Sequence, residues 1–271
     1  MPDRPIVEKS ATSGYKKSTL LEQDPARYIL RSVLAGMYLS IVVLVFWSIT
    51  NNMSDPTVGK LLGSAFFGVG LSIIIFTNSE LFTSNNMYMA VSSAEGRTSW
   101  GQTAKLWTVC WLGNLVGAVL LALLLSGAGV LNDLPPEHAL YSGALHKAHQ
   151  TAMVIFFKGI LANWVVCLAV WVSLQMKEDI AKLVALILIV FIFLYLGFEH
   201  SIANMGTFSM SLLGHGTLTL GDAAFNLLFS TAGNIVGGAL FVGLPYRFLS
   251  PGTKQPETTS NVAAGGELKH P

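Results

Sequence analysis

Glu199 and His200 stand side by side directly after sixteen uncharged residues, Leu183 to Phe198. An ionisable pair in so apolar a setting is a functional candidate by default. Histidine titrates nearest neutrality, so His200 can give a hydrogen bond or a proton to a weak-acid anion; the plainer reading is a histidine satisfied by a neighbouring helix. A second polar cluster, Asn78, Ser79, Glu80, Thr83, Ser84, Asn85 and Asn86, encloses Leu81 and Phe82. Its polar groups can bind, and the apolar pair can gate. Glu80 and Glu199 would repel an anion and read better as supports that accept backbone N–H bonds from the interrupted chain. Lys147, just past the loop of Asp133, Pro135, Pro136 and Glu137, either raises the local anion concentration in a vestibule or simply snorkels at an interface. Lys158 lies eleven residues further along the same helix and needs carbonyl or carboxylate partners, while Asn163 has the character of an interhelical amide. Cys110 and Cys167 fall in apolar runs and read as buried thiols, so no metal and no cofactor is expected.

The elements that must position these groups are membrane helices. Of 271 residues, 52% are hydrophobic and only 11% charged, with a mean hydropathy of +0.57, too apolar for one water-soluble core. A formal charge of +1 leaves nucleic-acid binding without its main electrostatic contribution. Uncharged runs cover Ser32 to Ser54, Leu61 to Ser79, Leu106 to Asn132, Gly159 to Met176, Leu183 to Phe198 and Ala223 to Tyr246. A crossing takes about 20 apolar residues. The second and fifth runs are short, stop at Glu80 and Glu199, and then resume, as a helix broken at mid-depth would. With the N-terminus inside, thirteen of sixteen basic residues fall on the cytoplasmic side, and only Lys60 and Lys147 fall outside. That bias predicts six spans with both termini cytoplasmic. Residues 1–26 and 250–271 read as solvated cytoplasmic tails around a channel-like domain at 27–249.

The two halves repeat. Gly113, Asn114 and Gly117 lie 120 positions before Gly233, Asn234 and Gly237, and Glu80 lies 119 before Glu199. Both breaks close on Asn-Met, at Asn86 and Asn204. Three spans per half is an odd number, so the second half enters from the opposite side. The expected fold is all-α, an inverted 3+3 repeat with interrupted second and fifth helices, an aquaporin-like architecture. The paired glycines would let the third and sixth helices approach closely. Non-helical chain at membrane depth survives only where protein or a watery cavity receives it, so two symmetric breaks imply a passage. Helix N-termini opened at the breaks favour an anion.

These residues resemble the formate/nitrite transporter family. The likeness rests on Glu80-Leu-Phe-Thr-Ser-Asn-Asn-Met, on Lys158-Gly-Ile-Leu-Ala-Asn-Trp-Val-Val-Cys-Leu-Ala-Val-Trp, and on Gly197-Phe-Glu-His-Ser-Ile-Ala-Asn-Met, and it spans roughly Ala26 to Phe248. It implies a homopentamer in the plasma (inner) membrane of a prokaryote, each protomer carrying its own pore for small monovalent weak-acid anions. By position, Lys147 resembles the family's vestibule lysine, Thr83 and His200 its central hydrogen-bonding pair, and Asn163 its pore-side asparagine. Phe67 and Leu71 resemble the cytoplasmic constriction; Leu81, Phe82 and Phe193 resemble the opposite one. Glu80, Glu199, Asn86 and Asn204 are the expected supports of the breaks. Phe156-Phe-Lys-Gly with Asn163-Trp-Val-Val-Cys looks most like the nitrite branch, while formate, lactate and hydrosulfide stay open.

The expected path therefore runs from Lys147 past one constriction to Thr83 and His200, then out through the other. A bare charge at an apolar constriction is costly, so the anion must be met by donors or cross protonated. Transport rather than catalysis is expected. A haem-binding oxidoreductase would need paired intramembrane histidines, and the spacing of His149, His200 and His215 provides none. An aquaporin-like channel for neutral solutes would carry Asn-Pro-Ala boxes, and neither half has one.

Overall fold

The computed structural model describes residues 4–250, and every regular element among them is helical. Helix α2 (Pro25–Asn52) is followed by α3 (Pro56–Phe76), a five-residue interruption and α4 (Phe82–Ala94). Helix α5 (Trp100–Gly127) completes the first half. The second half repeats the order: α7 (Ala152–Gln175), α8 (Asp179–Tyr195), an interruption, α9 (Ser201–Leu213) and α10 (Leu220–Gly238). The last runs through a π-helical stretch, Ala239–Gly243, into α11 (Leu244–Phe248). A short helix α6 (Ala139–Ala148) precedes α7.

Among the described residues, five helices are long and apolar enough to cross a bilayer: α2, α3, α5, α7 and the run Leu220–Phe248. Helix α3 qualifies by itself, since 21 residues at about 1.5 Å each reach about 32 Å. The seventeen residues of α8 reach only about 26 Å. The breaks are alike in backbone. Asn78 (φ 53°) and Gly197 (φ 72°), 119 positions apart, both adopt the left-handed conformation, which glycine takes freely and asparagine tolerates.

Glycines set the helix spacing. A Cβ on Gly117 would lie 2.0 Å from the Val33 carbonyl oxygen, and one on Gly237 would lie 2.2 Å from that of Ile160. The small-residue stripes therefore press α5 onto α2 and α10 onto α7, rather than onto each other. The solvated tail expected over residues 1–26 is instead a packed helix, α1 (Arg4–Gln23), whose Val7 and Ala11 are fully buried. Its inward face is Val7, Ser10, Ala11, Gly14, Ser18 and Leu21, spaced three or four apart but built mostly of small residues. Such a face has helical period without hydrophobic contrast. The C-terminal tail expected over residues 250–271 lies outside the described residues beyond Ser250.

Candidate functional site

The two interruptions leave α4 and α9 starting in the protein interior with open N-terminal N–H groups that need acceptors. Two asparagines supply them. Asn114 Oδ1 accepts the Phe82 N–H at 2.9 Å, and its Nδ2 donates to the Ser32 and Glu80 carbonyls at 2.7 and 2.9 Å. Asn234 repeats this in the other half: Oδ1 accepts the Ser201 N–H at 2.8 Å, and Nδ2 donates to the Gly159 and Glu199 carbonyls at 2.8 and 2.9 Å. The acceptors for the broken backbone are thus Asn114 and Asn234, not the carboxylates of Glu80 and Glu199.

Those carboxylates bind side chains instead. Glu80 Oε2 accepts from Lys17 Nζ at 2.6 Å and Asn85 Nδ2 at 2.9 Å. Glu199 accepts from Lys147 Nζ at 3.1 Å, Gln150 Nε2 at 3.2 Å and Asn204 Nδ2 at 2.6 Å. Both carboxylates are buried, so ion pairing and several donors must offset their desolvation. The mate of Asn204 is therefore Asn85. Asn86, the expected mate, points elsewhere and accepts from Asn163 Nδ2 at 3.0 Å.

Where the two half-helices meet, Thr83 Oγ1 and His200 Nε2 lie 3.0 Å apart, both buried. His200 is also the N-cap of α9: its Nδ1 accepts the Ala203 N–H at 3.1 Å. In a neutral ring this fixes the proton on Nε2, which donates to Thr83, and the threonine hydroxyl hydrogen is then free to turn toward a passing group. Asn163 braces the same point, its Nδ2 donating to the Thr83 carbonyl at 3.1 Å and the Asn234 carbonyl at 2.6 Å. Of the expected quartet, Thr83, His200 and Asn163 meet at this point, while Lys147 lines both a small space that it shares with His200 and the larger cavity next to it.

That cavity, of about 400 Å³, is lined by Lys60, Lys147, Gln150, Lys158 and Glu199 among others. Between it and His200 the space pinches to about 20 Å³, room for about one water, walled by Phe46, Phe67, Phe193 and Phe198. Phe67 and Phe193 meet edge to face at 5.8 Å, and Phe193 stacks on His200 at 5.6 Å. These two phenylalanines, expected on opposite constrictions, form one wall on the Lys147 side. Leu71 and Leu81 are buried in the same core. Phe82 lines a groove with Trp107, Trp111 and Thr231 instead. Beyond the first break, a cavity of about 210 Å³ is lined by Lys16, Lys17, Arg31, Asn78 and Glu80.

Sequence reasoning missed Lys17 and Gln150, placed Asn85 in the polar cluster without its bond to Glu80, and missed the capping role of Asn114 and Asn234. The 119- and 120-residue offsets were the available signal, because each of these asparagines recurs in register. Both cysteines are buried free thiols, and no cluster of metal-ligating side chains occurs among the described residues.

Residues 4–248 match the family model described as formate/nitrite transporter. The chain is 38% identical to the nitrite transporter NirC of Escherichia coli over 92% of its own length and 93% of the relative's. It is 34% identical to the formate channel FocA of the same species, over 89% and 91%. Among solved structures it superposes on an FNT family ion channel with a TM-score of 0.87 at 37% identity, covering 91% of this chain and 99% of that one. It also superposes on a pentameric formate channel with formate bound, with a TM-score of 0.70 at 29% identity, covering 83% and 96%.

Proposed function

The chain belongs to the formate/nitrite transporter family, and from that premise we propose that it carries a small monovalent weak-acid anion, nitrite foremost, through a passage within each protomer. The protein is a transporter and not an enzyme. The observation that carries the proposal is the meeting of Thr83 and His200 at 3.0 Å, between two half-helices whose open N-termini are capped by equivalent asparagines. Donors at this point, with two cation-lined cavities on either side of it, suit a negative guest. The aromatic wall then excludes hydrated ions, and a nitrite ion either meets the Thr83 hydroxyl and His200 Nε2–H or crosses as the neutral acid after taking a proton.

The same proposal reads the chain as six spans in an inverted repeat, α3 with α4 and α8 with α9 forming the interrupted second and fifth, with both termini cytoplasmic and α1 lying on the inner face. Thirteen inward basic residues support that orientation. The domain is taken as residues 27–249, assembled as a homopentamer in the plasma membrane of a prokaryote, as the pentameric formate channel neighbour supports. Identity to nitrite transporters supports nitrite as the guest, and the formate channel relatives keep formate as the second reading.

Electrophysiology of the reconstituted protein with nitrite, formate, lactate and hydrosulfide at two pH values tests this. Nitrite current is expected to lead. Equal permeability to glycerol, with no anion current, would overturn the proposal.

A further inference from the structure

Helices α2, α3, α5, α7, α8 and α10 surround the half-helices α4 and α9, and this ring has one loose seam. Helices α3 and α8 press together, with a Cβ on Gly68 falling 2.4 Å from the Ile187 Cα, and α2 with α3, α2 with α5, α7 with α8 and α7 with α10 pack directly as well. Helices α5 and α10 barely touch. What joins them is a hydrogen bond from Trp111 Nε1 to Thr231 Oγ1 at 2.9 Å, between residues 120 positions apart and so equivalent in the two halves. Gly68 and Ile187 are equivalents too, 119 positions apart. The axis relating the halves therefore enters through a closed seam and leaves through an open one.

On either side of that bond the seam widens into an apolar groove. One, of about 540 Å³, is lined by Leu115, Phe208 and Leu227. The other, of about 470 Å³, is lined by Ala104, Trp107, Leu112 and Ile235 and floored by Phe82. Leu228 on the first and Leu112 on the second are 65% and 49% exposed, so no described side chain closes either groove. In the orientation proposed above, α5 enters from the cytoplasm, and the groove beginning at Ala104 lies in the inner half of the bilayer. Charge separates the two grooves. Lys105 precedes Thr108 by three residues and Leu112 by seven, which places it on the same helix face at the cytoplasmic end of the inner groove. It is exposed, and among the described residues no carboxylate lies within ion-pair distance of it. Its equivalent in the other half, 120 positions on, is Phe225. Trp100, 54% exposed at the start of α5, suits the membrane interface, and Lys105 lies five residues, about 7.5 Å, deeper, from where a lysine amine snorkels to phosphate level.

We propose that the inner groove binds one acyl chain of an anionic phospholipid from the cytoplasmic leaflet, with the lipid phosphate at Lys105. The groove complements such a lipid at both ends, apolar along its length and cationic at its mouth, and the cytoplasmic leaflet is the negatively charged one. The bound chain rests on Phe82, the first residue of α4, whose N–H is held by Asn114 and whose neighbour is Thr83. The lipid thereby braces the half-helix that carries Thr83. The inference goes beyond the transport reading and rests only on the membrane orientation given with it.

Native mass spectrometry of the full-length assembly released from detergent, with dioleoyl phosphatidylglycerol or dioleoyl phosphatidylcholine added, tests the site. Wild type is expected to hold phosphatidylglycerol about three- to tenfold more tightly than phosphatidylcholine. Lys105→Gln should remove that preference and leave phosphatidylcholine binding unchanged. Ala104→Leu, which fills the groove, should weaken both lipids. If Ala104→Leu does not fold, Ile235→Phe carries the same expectation. Phosphatidylglycerol binding that is equal in wild type, Lys105→Gln and the groove-filling variant overturns the inference. An Ala104→Leu assembly that falls into smaller species while the lipid stays bound overturns it too, because a second copy of the chain would then be the occupant. Anion flux plays no part in this readout, so a wild type that passes no anion overturns the transport reading and leaves the lipid site standing.

Discussion

Removing the amide of Asn114 is the most telling single perturbation of the scaffold. In Asn114→Ala the Phe82 N–H loses its acceptor at 2.9 Å, and the Ser32 and Glu80 carbonyls lose donors at 2.7 and 2.9 Å. The orphaned N–H is buried and costs about 1–3 kcal/mol. Each carbonyl has another partner to fall back on, helical for Ser32 and the Cys110 thiol for Glu80, and loses about 0.5–1.5 kcal/mol. The sum is about 2–6 kcal/mol, which at roughly 2–4 °C per kcal/mol lowers the melting temperature by about 4–24 °C. Asn234→Ala removes the same three bonds at 2.8, 2.8 and 2.9 Å, so its loss should match within about 1 kcal/mol. Thermal unfolding in detergent, followed by tryptophan fluorescence, reads both. A fall below about 2 °C in both variants, or in one alone, would refute the argument that these amides close the broken helices.

Glycine spacing is tested by Gly237→Ala, whose Cβ would meet the Ile160 oxygen at 2.2 Å, against Gly127→Ala, where nothing lies within 4 Å. The first should cost about 1–3 kcal/mol and the second nothing, by the same melting assay. Lys147→Met strips the ion pair from the buried Glu199, and its loss of about 3–5 kcal/mol should be largely recovered by adding Glu199→Gln, measured as a double-mutant cycle. At the end of α4, hydrogen bonding from Arg4 and then Arg247 holds the Glu95 carboxyl below the ordinary glutamate range. A carboxyl whose folded pKa is depressed stabilises above its unfolded pKa and loses that stabilisation as pH falls through the folded one. Melting temperature should therefore drop on acidification below the ordinary glutamate range more steeply in wild type than in Glu95→Gln.

The helices and their breaks were legible because bilayer thickness and charge exclusion act on the sequence directly, leaving long uncharged runs that end at Glu80 and Glu199. The pair Thr83 and His200, 117 positions apart, came from the family likeness, since nothing in local spacing brings them together. Helix α1 was invisible to hydropathy because Ser10, Ala11, Gly14 and Ser18 bury backbone and small side chains rather than apolar bulk. Lys17, lying in that segment, was lost with it. Asn86 was paired with Asn204 by counting back from the Met that follows each, whereas the fold aligns the halves at the glutamates. The register of a hydrogen bond, not the likeness of a dipeptide, decides which amide braces the break. Phe67 and Phe193 were separated for a similar reason: a sequence does not show which rings on α3 and α8 face each other across the passage.

The central claim is that an anion passes the contact between Thr83 and His200. Nitrite influx into proteoliposomes, compared between wild type and His200→Ala at equal protein incorporation, addresses it most directly. The loss of the Nε2–H donor should cut the flux at least tenfold or abolish its preference for nitrite over chloride. Flux and preference both equal to wild type would contradict the account, because the guest would then be travelling somewhere else.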